Sequence, residues 1–236
     1  MRLKRKQALA IAAAVGIGAV FAQRPYAKAV ELSESCSLTV TTEATEEMQD
    51  LLKLAGSGEG EGQVVVDLYQ IASAEKDPTY DTYSFVADTS FDLKDAEGNA
   101  YDLASYGGLK DIGAADWDLM AQEAARTILV DQAAGITPVT GTLGTAFEKL
   151  DGGLYLVVTH ARDAEDYVIT EKDEGGNDTI LTEVTAMQYV YRFKPQLIAL
   201  PTTEELDTSG EWGYDAQMKL KATYEPRLGN LKIEKI

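Results

Sequence analysis

The segment Leu154-Tyr-Leu-Val-Val-Thr159 is almost wholly apolar or β-branched. A strand of that kind cannot leave one face in water. It has to lie inside a sheet covered on both sides, so the rest of the chain must supply layers above and below it. The neighbouring segments are suited to that. Ser37-Leu-Thr-Val-Thr-Thr42 alternates with β-branched residues, Val64-Val-Val-Asp-Leu-Tyr-Gln-Ile71 is a stronger strand, and Tyr80 to Ala87 is another. Tyr167-Val-Ile-Thr170 and Thr179-Ile-Leu-Thr182 flank the turn-rich Glu174-Gly-Gly-Asn-Asp178 and read as a hairpin. Met187 to Leu200 and Trp212 to Tyr224 complete the set, separated by a Pro/Thr/acidic loop from Pro201 to Glu211.

The period changes between Asp111 and Gly135. Trp117, Ala121, Ala124 and Ile128 recur at helical spacing, and Met120 and Ala125 widen the stripe. Asp116 and Asp118 complement the N-terminus of such a helix, Arg126 lies toward its C-terminal end, and Gly135 and Pro138 supply the stop. Glu46 to Leu54 has the makings of a brief helix ahead of the Gly-rich stretch that ends at Gly62. Asp95-Ala-Glu-Gly-Asn99 has turn composition. About eight strands with one inserted α-helix predict a mainly β fold, a β-sandwich of immunoglobulin-like type.

Residues 1–29 read as an address and not as part of that fold. Arg2, Lys4, Arg5 and Lys6 precede an uncharged run from Ala8 to Ala22. The run falls short of the roughly 20 apolar residues that span a bilayer. Ala27-Lys28-Ala29 then places small residues at alternate positions, which predicts signal peptidase cleavage between Ala29 and Val30. A cut after Ala22 fits less well, an uncleaved signal anchor is the other alternative, and no lipoprotein box precedes Cys36. The expected product is secreted, with no membrane segment after cleavage.

The leader carries six Lys or Arg and no acid, so removing it leaves 15 bases against 39 acids. So negative a chain is repelled by nucleic acid and by anionic lipid, which excludes both as expected partners. Cys36 is the single cysteine, so no intrachain disulfide can form, and burial suits it better than a redox role. His160 is the single histidine, which excludes a His-based metal cluster and leaves a Ser/His hydrolase one choice of base without any Gly-x-Ser-x-Gly elbow. His160 reads as a polar residue at a strand end. Asp173, Glu174 and Asp178 surround a Gly-Gly turn and read as solvated. Asp92, Asp95, Glu97, Asn99 and Asp102 could offer oxygens to calcium, although their spacing is not that of an EF-hand. Gly-Glu-Gly-Glu-Gly, residues 58–62, lacks the lysine of a phosphate loop. No catalytic residue, metal or cofactor is implied, and the expectation is a non-enzyme.

Three segments carry a resemblance. Phe147-Glu-Lys-Leu-Asp-Gly-Gly-Leu-Tyr-Leu-Val-Val-Thr159 is similar to a turn and strand ending in the E-box YLVETxAP, with Val158 where that box has Glu. Trp212-Gly-Tyr-Asp-Ala-Gln-Met-Lys-Leu-Lys-Ala222 resembles the motif WxYxVxVYPKN, with Lys219-Leu220 in place of YP and Ala222 in place of Asn. Gly229-Asn-Leu-Lys-Ile-Glu-Lys235 is similar to the opening strand of a B-type domain. Together, and in this order, they resemble Gram-positive sortase-assembled pilins and the collagen-adhesin B-type domains from which these are built.

The resemblance implies a leader over 1–29, an N-terminal pilin sandwich over 30–228 and the start of a following B-type domain over 229–236. It implies Lys221 as the lysine that a sortase joins to the next subunit, with Lys219 as the fallback, and Lys235 as the lysine of an internal isopeptide in the following domain. The partners would be the sortase and neighbouring pilin subunits at a Gram-positive cell wall. A non-polymerised surface adhesin holding a host ligand is the alternative. Leu200-Pro-Thr-Thr-Glu204 approaches a sorting signal but has Glu where LPxTG has Gly. An internal Lys–Asn isopeptide is not expected in the first domain. Its first strand has no lysine, Val158 replaces the acid, and Asn99, Asn177 and Asn230 lie in turn-like contexts.

Overall fold

The computed structural model describes residues 29–56, 64–77, 79, 81–91, 93–95, 97–132, 135–173, 175–202 and 212–227. In chain order these form β1 (Cys36–Thr41), α1 (Gln49–Gly56), β2 (Val64–Lys76), β3 (Tyr83–Ala87), α2 (Tyr106–Asp111) and α3 (Ala114–Ala125). A π-helical turn, Arg126–Val130, extends α3, and is followed by β4 (Val139–Thr142), β5 (Ala146–Leu150), β6 (Gly153–Ala161) and β7 (Val168–Lys172). The chain continues through β8 (Asp178–Thr185), β9 (Tyr189–Phe193), β10 (Gln196–Leu200), β11 (Asp215–Lys219) and β12 (Ala222–Pro226).

The fold is mainly β, a layered sandwich built from three sheets. The central sheet runs β10-β6-β2-β3, with β4 also paired to β2. Residues 153–160 of β6 and 64–69 of β2 are buried throughout, as the apolar runs require. Alternation then divides the core in two. Leu154, Leu156 and Val158 point with Ile71, Phe85, Trp117, Met120 and Ala124 into one cluster, beneath α3. Tyr155 and Val157 point with Val64, Val66 and Leu68 into the other, shared with Leu38, Val40 and Met218 of the sheet β11-β1-β5 and with Tyr191 and Phe193 of the sheet β12-β9-β8-β7.

The expected helical stripe is the buried face of α3 and its extension. Asp116 sits in the first turn and accepts the Gly113 N–H at 3.0 Å, a favourable place for a carboxylate. The helix stops at Val130, earlier than Gly135, and Gln132 takes a left-handed conformation at φ 50°. The side chain of Gln122 then acts as a strand edge for β8. It accepts the Ile180 N–H at 2.7 Å and donates to the Ile180 carbonyl at 3.2 Å. Two short helices, α1 and α2, accompany α3. The first begins slightly later than expected, and the second starts at an Ser105 cap whose hydroxyl accepts the Gly108 N–H.

Two expected strands are each two strands. Met187 to Leu200 divides at Lys194-Pro195 into β9 and β10, which belong to different sheets. Pro195 has no N–H for a ladder, and the chain changes layer there. Trp212 to Tyr224 divides at Leu220-Lys221 into β11 and β12, again in different sheets. The predicted β7–β8 hairpin forms in register, Val168 opposite Thr182 and Lys172 opposite Asp178. No helix among the described residues is long and apolar enough to cross a membrane.

Candidate functional site

The WxYxVxVYPKN-like segment is a strap across the sandwich. Trp212 is buried with its ring centroid 5.3 Å from that of Tyr83. Gly213 exchanges both backbone hydrogen bonds with Thr202, at 2.8 and 2.9 Å. The Tyr214 carbonyl accepts the Ser37 N–H at 2.7 Å, and its hydroxyl accepts the Glu31 N–H at 2.8 Å. The strap then enters β11, which pairs in parallel with β1 from Ser37↔Asp215 to Thr41↔Lys219. Ala216, Met218 and Leu220 are buried, while Asp215, Gln217, Lys219 and Lys221 are exposed. Lys219 ends the strand. Lys221 occupies the junction before β12, its N–H 3.4 Å from Gln196 Oε1. Lys219 at the strand end and Lys221 in the junction, two residues apart, are both exposed beside the buried Met218 and Leu220.

The E-box-like segment is equally constrained. Lys149 has φ 60° at the irregularity where β5 slips against Cys36 and Leu38. Gly153 opens β6 where a Cβ would come within 2.5 Å of the Gln70 side chain and 2.6 Å of the Ala72 carbonyl, so glycine is required. Val158 is fully buried and faces Asp67 across the β2–β6 ladder.

Asp67 and His160 form a cluster that strand reading alone leaves scattered. His160 is the penultimate residue of β6, at the strand end as expected, and at 8% exposure it is buried there. Its Nε2 lies 3.1 Å from Asp67 Oδ2, its Nδ1 lies 2.8 Å from the Ala161 carbonyl, and its ring stacks on Tyr167 with centroids 4.0 Å apart. Thr140 donates to Asp67 Oδ1 at 2.5 Å, and the Tyr69 hydroxyl donates to Oδ2 at 3.4 Å. Burial pushes the Asp67 carboxyl up, but hydrogen bonds from His160 and Thr140, the His160 charge and the Tyr69 hydroxyl together hold it below the usual carboxylate range. The order is Thr–Asp–His, with the acid in the middle. A hydrolase needs the histidine in the middle with one nitrogen turned to a nucleophile, and here both nitrogens already face protein oxygens. The sequence signal for this cluster is Asp67 itself, an acid in an otherwise apolar strand that requires a partner.

The other candidates resolve into local roles. Asp95 Oδ1 accepts the N–H groups of Glu97 and Asn99, and Oδ2 accepts Asn99 Nδ2. Asp102 takes the Ala104 N–H and the Ser105 hydroxyl. These carboxylates organise turns, and among the described residues no group of three His, Cys, Asp or Glu is disposed to hold a metal. Asp173 closes its own turn on Asn177 in the same D-x-x-G-N pattern as Asp95 and Asn99, with Gly98 and Gly176 at φ 87° and 84°. Cys36 is buried, and burial, then Asp151, Asp215 and Glu34, push its thiol up to about 11, which favours the inert protonated form. Residues 1–28, the Gly-Glu-Gly-Glu-Gly stretch, Asp92, Glu204 and Gly229 to Lys235 lie outside the described residues.

No protein-family profile matches the sequence. No curated protein matches it either. Among solved structures, the full-length major pilin SpaD from Corynebacterium diphtheriae is similar at a TM-score of 0.29 and 16% identity, over 82% of this chain and 31% of that one. The chain thus spans under a third of the pilin's length, and the two superpose only loosely.

Proposed function

We propose that this protein is a non-catalytic, secreted structural subunit of a cell-surface pilus, joined to its neighbour by a sortase through Lys221, with Lys219 as the fallback amine. The observation that carries the reading is the disposition of the two lysines. An acyl-enzyme is resolved by an amine that reaches solvent beside a rigid docking surface. Lys219 closes β11 and Lys221 follows in the junction before β12; both are exposed, and the neighbouring Met218 and Leu220 are buried. The segment is held upstream by Trp212, Gly213 and Tyr214, and at its end by the Leu220 N–H on the Thr41 carbonyl at 2.8 Å. In this reading residues 1–29 are removed, and the new N-terminal residue Val30 docks into the core at 1% exposure. Lys235 belongs to the following B-type domain.

The test is expression of the full precursor with its cognate sortase, comparing Lys221→Ala with Lys219→Ala. The expected outcome is a covalent ladder abolished by Lys221→Ala and retained by Lys219→Ala. Loss only in Lys219→Ala moves the attachment by two residues. A ladder untouched by either change overturns the lysine assignment, and a monomer under every condition favours the non-polymerised adhesin.

A further inference from the structure

We propose that the open side of β11 is a docking edge for the neighbouring subunit, which adds an extended segment of its own there as a parallel strand ending at Lys221. The inference rests on the sortase reading above and names the surface such an attachment uses. β11 is the outermost strand of the sheet β11-β1-β5. Its ladder to β1 decides which peptide groups are already paired. The Tyr214 carbonyl accepts the Ser37 N–H at 2.7 Å, and the Leu220 N–H reaches the Thr41 carbonyl at 2.8 Å, with Ser37 opposite Asp215 and Thr41 opposite Lys219. In a parallel ladder that register turns the peptide groups of Tyr214, Ala216, Met218 and Leu220 toward β1. Those of Asp215, Gln217 and Lys219 face the other way, and among the described residues no strand pairs with them. The N–H of Lys221 is met at 3.4 Å by Gln196 Oε1, which marks where the open edge stops.

Two other edges of the molecule are closed by their own sequences, and this one is not. In β12 the Arg227 N–H bonds to the Gln188 carbonyl at 2.8 Å, so alternation puts the peptide groups of Ala222, Tyr224 and Pro226 on the outer side. Pro226 has no N–H to offer there. β5, on the far side of β1, is broken by the left-handed Lys149 at φ 60° and by the register slip opposite Cys36 and Leu38. β11 runs through five residues without proline or glycine. The charged side chains of Asp215 and Lys219 discourage indiscriminate pairing but leave the backbone uncovered. Ala216, Met218 and Leu220 are buried beside it, so an added strand with apolar residues at alternate positions extends their row. The position of the amine selects the occupant. Lys221 stands just beyond the downstream end of this edge, and paired strands lie about 4.8 Å apart, a gap that a lysine side chain spans. A chain whose terminal carbonyl is bonded to Lys221 Nζ therefore lays its preceding residues along β11, running the same way.

Proline at position 217 removes the central outward N–H and leaves the ladder to β1 intact, because its fixed φ suits an edge strand. In the full precursor expressed with its cognate sortase, Gln217→Pro is expected to cut the covalent ladder roughly tenfold, about the effect of one lost backbone hydrogen bond. Gln217→Ala is expected to keep it. Amide exchange in the wild-type chain is expected to show the Asp215, Gln217 and Lys219 N–H groups unprotected in the unlinked subunit and protected in the sortase-linked product. A ladder abolished by Lys221→Ala but untouched by Gln217→Pro overturns the docking edge and leaves the attachment standing. Linked product whose outer amides still exchange freely overturns it as well. So does protection of those amides in the unlinked subunit, which would assign the edge to another occupant such as a second copy. A ladder that survives both Lys221→Ala and Lys219→Ala, or no ladder at all, overturns the sortase reading and the docking edge with it. The exchange readout uses the unaltered chain, so it stands even if Gln217→Pro fails to fold.

Discussion

At the scale of residues, Asp67 shows how a single acid becomes structural. Its carboxyl is held below the ordinary carboxylate range by the hydrogen bonds of His160 and Thr140, the His160 charge and the Tyr69 hydroxyl, which together outweigh its burial. A depressed folded-state value means that the unfolded chain binds the proton more readily. The stabilisation is present above the unfolded carboxylate range and is lost as pH falls through the folded value. Urea denaturation across the acid range should therefore show a limb that is flattened in Asp67→Asn, while an identical limb in both proteins would remove Asp67 as its source. This pairing was only half legible in the sequence. An acid among Val64, Val65, Val66 and Leu68 announces a need for compensation, but no periodicity says that the answer lies 93 residues away. The lysines were easier. Alternation in β11 requires only the local strand, and the exposure of Lys219 beside the buried Met218 follows from it, while Lys221 is exposed in the junction beyond.

At the scale of elements, the joints carry the specificity. Gln122 fastens α3 to β8 by serving both polar groups of Ile180. Replacing it by Ala leaves a part-buried N–H and carbonyl unserved, with an expected loss of about 1–3 kcal/mol in urea unfolding and of amide protection at Ile180. Full protection at Ile180 in that variant would show that the helix is held by apolar packing alone. Gly153 is a second joint. The methyl of Gly153→Ala would press on Gln70 and the Ala72 carbonyl, and a destabilisation of roughly 1–3 kcal/mol is expected from chemical denaturation. Most strands were legible because β-branched runs, like the helical stripe at Trp117, Met120, Ala121 and Ala124, are local signals, whereas the short β4 and β5 were not expected. The changes of layer at Pro195 and at Leu220-Lys221 were not, because a continuous β pattern does not record which sheet each half joins.

At the scale of the whole molecule, layering replaces disulfide fastening. The chain has one cysteine, and its central sheet is covered on both faces by separate apolar clusters. Against that works a formal charge of −18 over the full sequence. Self-repulsion of this size is screened by salt. The protein should melt several degrees higher at 0.5 M than at 0.02 M sodium chloride, measured by circular dichroism. An unchanged or lower melting temperature would mean that attractive pairs such as Arg192 with Glu171 and Glu183 dominate the balance.

The parallel pairing of β1 with β11 has a mechanical consequence. The strand near the start of the described chain and the strand near its end lie side by side and run the same way. A tensile load applied between Val30 and Lys221 would drag β1 and β11 past each other along their length. It would strain their cross-links together, in shear, and would not peel them apart one at a time from an end. A chain tethered at those two points is therefore arranged to hold under pull, with its resistance concentrated in the ladder from Ser37 to Thr41.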